Sequence, residues 1–363
     1  MPDFEISILG GSGGPFENST QCFMLRSTHN TRDTQLICVD GGVGLGSIAT
    51  MLRLDKNTKV VESLYENEEE PIEKYVDNTM LPQLVRGFPQ IITSRLRGNI
   101  LQQAMELYQK IGEYYITHPH MDHIAGMIMN SPAIYEPSVL SKKYVKGLPF
   151  TIKPLNDSIF NDIIWPQLSN KSLGRLDLVT LSQQIPHNSS SIPEWNIIPF
   201  EVYHGSKVSD LTAHVSSSVY IITNTRTKNS IVMCGDLEKD HDNLQEPKLL
   251  DQMWSYLAKN VPLENLSSIV VECSNSSSID ERRLFGHLSS NKLLDELQVL
   301  RDKYSISSGL GNLKVIISHV KMAYLDKDPR LTILDELRTL AHTIRGLENI
   351  AFSIAVQGYT FTV

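Results

Sequence analysis

The 363-residue chain predicts a mixed α/β fold, and three observations carry that expectation. Short strand patterns separated by Gly-rich turns crowd its first forty residues. Later apolar runs of five or six residues alternate with amphipathic stretches long enough for helices. The 41% hydrophobic and 20% charged composition is that of an ordinary globular protein, with no biased tract that would force disorder. This length can hold one large domain or two. No fixed-period repeat or low-complexity linker divides the chain, and 1–363 is read as a single domain.

The elements follow in order. "FEISIL" (4–9) alternates as a strand should, "GGSGGP" (10–15) turns, and "TQCFMLR" (20–26) and "LICVD" (36–40) are two further strands. Residues 55–80, with the acidic run "ENEEEP", are expected to form a solvated surface insertion. Ile100, Leu101, Ala104, Leu107 and Ile111 recur at helical spacing, Gly112 ends that helix, and "EYYIT" (113–117) follows as a strand. Segment 130–195 is loop-rich and expected to decorate the core. Trp195 to Val202, Val219 to Thr223, "SIVMC" (230–234), "SIVVEC" (268–273) and "KVIISH" (314–319) are strands. "PKLLDQMWSYLAKN" (247–260), "SNKLLDELQVLRDKY" (290–304) and "RLTILDELRTLAHTI" (330–344) are helices, the second with Ser289 or Ser290 as N-cap. "AFSIAVQGYTFTV" (351–363) reads as one terminal strand.

Composition excludes several function classes. The N-terminus lacks the basic and apolar regions of a secretory signal, and no stretch reaches 18 uninterrupted apolar residues, so a soluble protein with no membrane partner is expected. Cys22, Cys38, Cys234 and Cys273 stand singly in apolar runs, which favours a reducing, cytoplasmic setting over a disulfide scaffold. A formal charge of -8 argues against nucleic acid as the main partner, since gripping that polyanion takes many basic contacts. A homo-oligomer stays open.

"GGSGG" at 10–14 matches the G-x-S-x-G pattern that would make Ser12 a nucleophile. Such an elbow must run straight into a helix, whereas Pro15 and a strand pattern follow, so a tight turn is expected.

The chemistry concentrates in "THPHMDHIAGM" (117–127), which spends three of the chain's 11 histidines within six positions. His118 and His120 can share a direction only in extended backbone, which Pro119 supports. Asp122 and His123 can turn back toward the same space if a helix starts there. Two imidazoles on one side and a carboxylate with an imidazole on the other suit two neighbouring zinc, manganese or iron ions. Further ligands should arrive from other strand ends, and His204 in "FEVYHGS", Asp236 in "VMCGDLE" and His319 in "VIISHVK" each close an apolar run.

This ordered set, H-x-H-x-D-H, a later His, Gly-Asp and a last His, resembles the metallo-β-lactamase superfamily. Within it the chain is similar almost end to end to the class II cyclic nucleotide phosphodiesterases, through "ILGGSGGPFENSTQCFML", "THPHMDHIAGMIMNSP", "CGDLE", "VVECS", "LFGHLS" and "VIISHVK". The resemblance implies an αββα sandwich with surface insertions. It implies one ion held by His118, His120 and His204, another by Asp122, His123 and His319, and Asp236 between them. Zinc is the expected metal, with manganese or iron as alternatives.

The implied activity is hydrolysis of 3',5'-cyclic nucleotides (cAMP, with cGMP open) to 5'-monophosphates by a metal-bridging hydroxide, lowering cyclic nucleotide signalling. By similarity to transfer-RNA 3'-processing nucleases, His287 is the expected general acid and Glu272 the group that orients it, the alternative for His287 being a turn residue before a helix. His29, His187, His241 and His342 are read as loop or helix-surface residues, His214 is left undecided, and Thr20, Gln21 and Cys22 carry no predicted contact. An RNA 3'-processing nuclease with the same metal site and a non-catalytic metal-stabilised interaction protein are the alternative readings.

Overall fold

The computed structural model describes residues 2–29, 35–135, 142–169, 174–240, 246–305 and 309–363. Strands β1 (Phe4–Gly10), β2 (Cys22–Ser27) and β3 (Leu36–Val39) open the chain. Helix α1 (Leu45–Arg53), a small hairpin of β4 (Val60–Glu62) and β5 (Glu69–Pro71), and β6 (Leu84–Arg86) come next. Helices α2 (Gln90–Thr93) and α3 (Ile100–Lys110) precede β7 (Ile111–Tyr115), α4 (Met121–Asn130), β8 (Lys143–Gly147), α5 (Pro149–Pro154) and β9 (Leu176–Thr180). Strands β10 (His187–Asn188), β11 (Trp195–Lys207), β12 (Asp210–Asn224) and β13 (Ser230–Cys234) begin the second half. It continues through α6 (Leu249–Asn260), β14 (Leu266–Glu272), α7 (Ser290–Tyr304), β15 (Lys314–Ser318), α8 (Pro329–Ala341), β16 (Ala351–Ile354) and β17 (Tyr359–Thr362).

The strands form two large sheets, one in the order β6-β17-β1-β2-β3-β7-β8-β9 and the other in the order β10-β11-β12-β13-β14-β15-β16. Sequence periodicity explains why the first sheet must be covered twice. Along β2 and β3, Phe23, Leu25, Ile37 and Val39 join the cluster between the sheets, while Cys22, Met24, Leu36 and Cys38 join a second cluster with α1, α3 and α4. Alternate side chains of a strand point to opposite faces, so both faces are apolar and both are buried. On the other sheet every residue of β13 is buried, and α6, α7 and α8 contribute Trp254, Leu297 and Leu337 to the larger cluster. The layers are helix, sheet, sheet, helix: the αββα sandwich.

Local signals account for several boundaries. Asn99 caps α3 by accepting from the Gln102 N–H while the Gln102 side chain accepts from the Asn99 N–H, a complete capping box. Ser289 does occupy the N-cap position of α7, but its hydroxyl goes to Asn291 at 2.6 Å and no side-chain cap forms.

Two expectations need correction. Segment 130–195 is no decoration, because β8 pairs in parallel with β7, β9 pairs in parallel with β8, and together they complete one edge of the eight-stranded sheet. Polar content hid β8: Lys143 and Lys146 are buried, with Nζ of Lys146 2.5 Å from Glu113 and Nζ of Lys143 donating to the Tyr108 and Ile111 carbonyls. The C-terminal stretch is two strands. β16 runs parallel to β15, and β17 crosses to the other sheet beside β1, with Gly358 at φ +88° in the turn between them. The acidic insertion carries the β4–β5 hairpin, where Glu70 is buried against Asn67 and Lys74.

Candidate metal centre and catalytic site

The parallel strands β3 and β7 of one sheet, and β13, β14 and β15 of the other, deliver their carboxyl ends to the same place. That is where open α/β sheets present ligand-binding residues. Asp40 follows β3, Thr117 to His120 follow β7, Asp236 follows β13, Glu272 ends β14 and His319 follows β15. His204 lies near the end of β11, and α4 begins with His120 as N-cap, so Asp122 and His123 lie in its first turn.

Glycines let the backbones approach this closely. A Cβ on Gly13 would lie 2.5 Å from Nδ1 of His319, and one on Gly235 would lie 2.4 Å from the Thr117 Cβ. This explains the GGSGG loop. Ser12 bridges to Ser19, 2.7 Å between hydroxyls, and the loop wraps the His319 ring without a following helix.

The predicted ligands converge in two groups. His118, His120 and His204 offer donor atoms within 4.8 Å of one another, as do Asp122, His123, Asp236 and His319. Asp236 stands between them, its Oδ2 3.7 Å from His118 Nε2, 3.6 Å from His204 Nε2 and 3.3 Å from His123 Nε2, and its Oδ1 3.2 Å from His319 Nε2.

The surrounding hydrogen bonds fix which ring nitrogen faces inward. Nδ1 of His123 donates to Asp40 at 2.8 Å and Nδ1 of His204 to the Gly286 carbonyl at 2.8 Å. The Thr117 hydroxyl is committed to Asp40 (2.9 Å), so it accepts from His118 Nδ1 at 3.1 Å. The Ser274 hydroxyl donates to Glu272 at 2.8 Å and accepts from His319 Nδ1 at 3.1 Å. Each of these four rings therefore turns its Nε2 to the centre. His123 and His319 Nε2 approach to 3.2 Å, and His204 Nε2 stands 3.3 Å from His120 Nδ1.

Nitrogens this close repel unless a proton or a metal cation lies between them. His118 Nε2 and Asp236 Oδ1 are buried with no hydrogen-bond partner among the described residues, the cost that a bound metal removes. Protonation states agree at all but one ligand: burial works to lower His123, but Asp236 and Asp40 outweigh it and hold that imidazole well above its usual range, so an ion must displace a proton there. Burial pushes His118 and His120 down and His204 down to about 4, leaving neutral rings. Burial works against the Asp122 and Asp236 charges, but neighbouring histidines outweigh it and hold both carboxyls low. Neutral imidazoles and ionised carboxylates are the ligand-ready forms, and the residues fit two divalent cations.

Beside this centre His287 Nδ1 lies 2.9 Å from Glu272 Oε1 and 3.9 Å from Asp236 Oδ2. Glu272 also accepts from the N–H groups of Leu237 and Ser274, each at 3.1 Å. Burial and the charge of Asp236 push Glu272 up to about 7, and burial pushes His287 down to about 4. Both shifts express the expense of separated charges in a dry site and favour the neutral pair, with one proton in the Nδ1–Oε1 contact and the ring's own proton on Nε2.

The other histidines lie apart from this group. His214 faces Glu246 at 3.5 Å and the Tyr203 ring, His29 faces Asp3, His187 faces Ser182, His342 ends α8, and His241 lies outside the described residues. Asp40 escaped the sequence reading. It joins His123, Thr117 and Gln21, whose Nε2 donates to it at 3.0 Å. The signal was available, because Asp40 closes the apolar run "LICVD" just as His204, Asp236 and His319 close theirs.

Sandwich and site together define a metallo-β-lactamase-fold hydrolase. A family model of class-II cAMP phosphodiesterases matches residues 37–358, and the chain belongs to that family. It is 41% identical to 3',5'-cyclic-nucleotide phosphodiesterase 1 of Saccharomyces cerevisiae, covering 99% of both chains. A crystal structure of unliganded yeast PDE1 superposes with a TM-score of 0.94 over 100% of both chains at 41% identity. The Bacillus subtilis metallo-β-lactamase fold protein YhfI, 14% identical, shares the fold with a TM-score of 0.53 over 99% of this chain and 98% of its own.

Proposed function

We propose that this site hydrolyses 3',5'-cyclic nucleotides, 3',5'-cAMP first among them, to nucleoside 5'-monophosphates. One observation carries the mechanism: a buried His287–Glu272 dyad, 2.9 Å long, abuts a cluster of seven metal-ligating side chains through Asp236. His118, His120 and His204 would hold one divalent ion, Asp122, His123 and His319 the other, with Asp236 shared. When bound, such ions supply Lewis-acid charge for the phosphate oxygens and activate water by lowering its pKa from 15.7 to ~7. All-nitrogen and carboxylate ligation favours zinc, with manganese or iron as the other borderline choices.

The chain's own residues do the rest. Asp40, Thr117, Ser274 and the Gly286 carbonyl hold four imidazoles in one tautomer, so the site needs little rearrangement to receive its ions. His287 has Nδ1 engaged by Glu272, which leaves Nε2 to meet the departing ribose 3'-oxygen and give it a proton. Glu272 positions that ring and passes its own proton to Nδ1 as Nε2 gives one up, so the imidazole stays neutral. The small ring diester suits a chain of net charge -8 better than folded RNA does.

Purified protein assayed against 3',5'-cAMP, 3',5'-cGMP and a 3'-extended transfer RNA tests the proposal. Conversion of cAMP to 5'-AMP is expected, and cleavage of RNA alone would overturn it. Full metal loading with no turnover of any of the three would favour a metal-stabilised interaction protein.

A further inference from the structure

A cavity of about 840 Å3 opens from the catalytic centre, with His120, His204 and His287 in its wall. Its size falls within the ~300–1,000 Å3 of small-molecule sites. Beyond the histidines the wall becomes apolar at two places. One is Phe285, 74% exposed, next to the dyad histidine. The other is the tip of the β11–β12 hairpin, where Val208 and Leu211 are 99% and 76% exposed. Large apolar groups left this open beside a reaction centre cost solvation that a flat apolar ligand would recover.

The backbone around Phe285 is held in an unusual shape. Phe285 has φ +51° and Gly286 has φ +82°, and a non-glycine residue in the left-handed region is strained. Close packing keeps the shape: a Cβ on Gly286 would lie 2.4 Å from the Gly205 nitrogen, and the Gly286 carbonyl accepts from His204 Nδ1. The loop thus fixes Phe285 relative to a ligand histidine on one side and the proton donor on the other. Phe285 is exposed to the same cavity that His120, His204 and His287 line.

We propose that Phe285 is the stacking platform for the nucleobase, with Val208 and Leu211 forming the opposite lip of that subsite. This inference rests on the cyclic nucleotide reading above. Every base presents a π-face, so such a platform favours cyclic nucleotides over other cyclic phosphodiesters while separating adenine from guanine only weakly.

The test compares kcat/KM for 3',5'-cAMP with that for methyl ribofuranoside 3',5'-cyclic phosphate, the same ring diester without a base. Base stacking on an aromatic ring justifies an expected fall of at least ~10-fold in that ratio for Phe285→Ala. The fall should lie mainly in KM for cAMP, and Phe285→Tyr should restore it. A ratio equal to that of the parent enzyme would overturn the assignment, including the case where both substrates suffer alike because the His287 loop has shifted. A parent enzyme that leaves cAMP intact would overturn the functional reading and this assignment with it.

Discussion

At the scale of single residues, the site is an exercise in fixing tautomers. An imidazole can ligate through either nitrogen, and Nδ1 bonds to Asp40, Thr117, Ser274 and the Gly286 carbonyl decide the matter for four of the rings. His287 is different, because its Nδ1 partner Glu272 is itself a proton acceptor in a dry pocket. Replacing His287 by Ala should leave both metal ions bound, by elemental analysis, while cAMP turnover falls at least ~10²-fold. Unchanged turnover would remove His287 from the reaction. The ligand residues were legible because rare residue types recur at the ends of apolar runs, whereas an outer residue such as Asp40 looks like any turn aspartate until the neighbouring strand brings His123 to it.

At the scale of elements, α6 and α7 meet through a polar contact set among leucines. The Trp254 indole N–H donates to Glu296 Oε2 at 3.0 Å. Burial pushes the Glu296 carboxyl from 4.5 up to about 7, although the indole bond pulls the other way. The folded chain therefore binds a proton that the unfolded chain has lost between pH 4.5 and 7, and stability contributed by this group drains away as pH rises through that window. Glu296→Gln keeps an acceptor for the indole and removes the charge. Urea denaturation should find it more stable than the parent by up to about 3 kcal/mol at pH 8 and no more stable at pH 4. An equal difference at both values would show that packing, not ionisation, sets the effect.

The elements also show what periodicity reads and what it misses. Strands covered on both faces, such as β13 with every residue buried, announce themselves as apolar runs. β8 does not, because the buried ammonium groups of Lys143 and Lys146 find carbonyl and carboxylate partners that only the folded sheet supplies, and β9 is an edge strand only partly buried. The division of the last thirteen residues into β16 and β17 turns on Gly358 at φ +88°, a backbone conformation that composition does not reveal.

At the scale of the whole molecule, the two sheets contribute opposite halves of one centre. His118, His120, Asp122 and His123 come from the first sheet and its helix α4, while His204, Asp236 and His319 come from the second. Ions bound between them would tie the two layers together as well as hold the substrate. Free metal at 1,000 times its Kd stabilises a folded chain by about 4 kcal/mol per site. Calorimetry with a chelator should therefore lower Tm by several degrees, and a chain that is one domain from 1 to 363 should keep a single transition as it does so. A Tm indifferent to chelation would mean that the layers are held without the ions. Among the described residues no helix is long and apolar enough to cross a membrane.

If these side chains cage two ions that split a cyclic phosphodiester, Asp122 is the ligand whose loss shows it most directly. It is a partly exposed ligand in the first turn of α4, 3.2 Å from His319 Nε2, so its replacement removes a donor without opening the core. Metal stoichiometry and cAMP hydrolysis should be measured together on Asp122→Ala. The prediction is fewer than two ions per chain and a loss of 5'-AMP formation beyond the ~10- to 100-fold that removing an outer partner costs. Two stoichiometric ions with parental hydrolysis would contradict it.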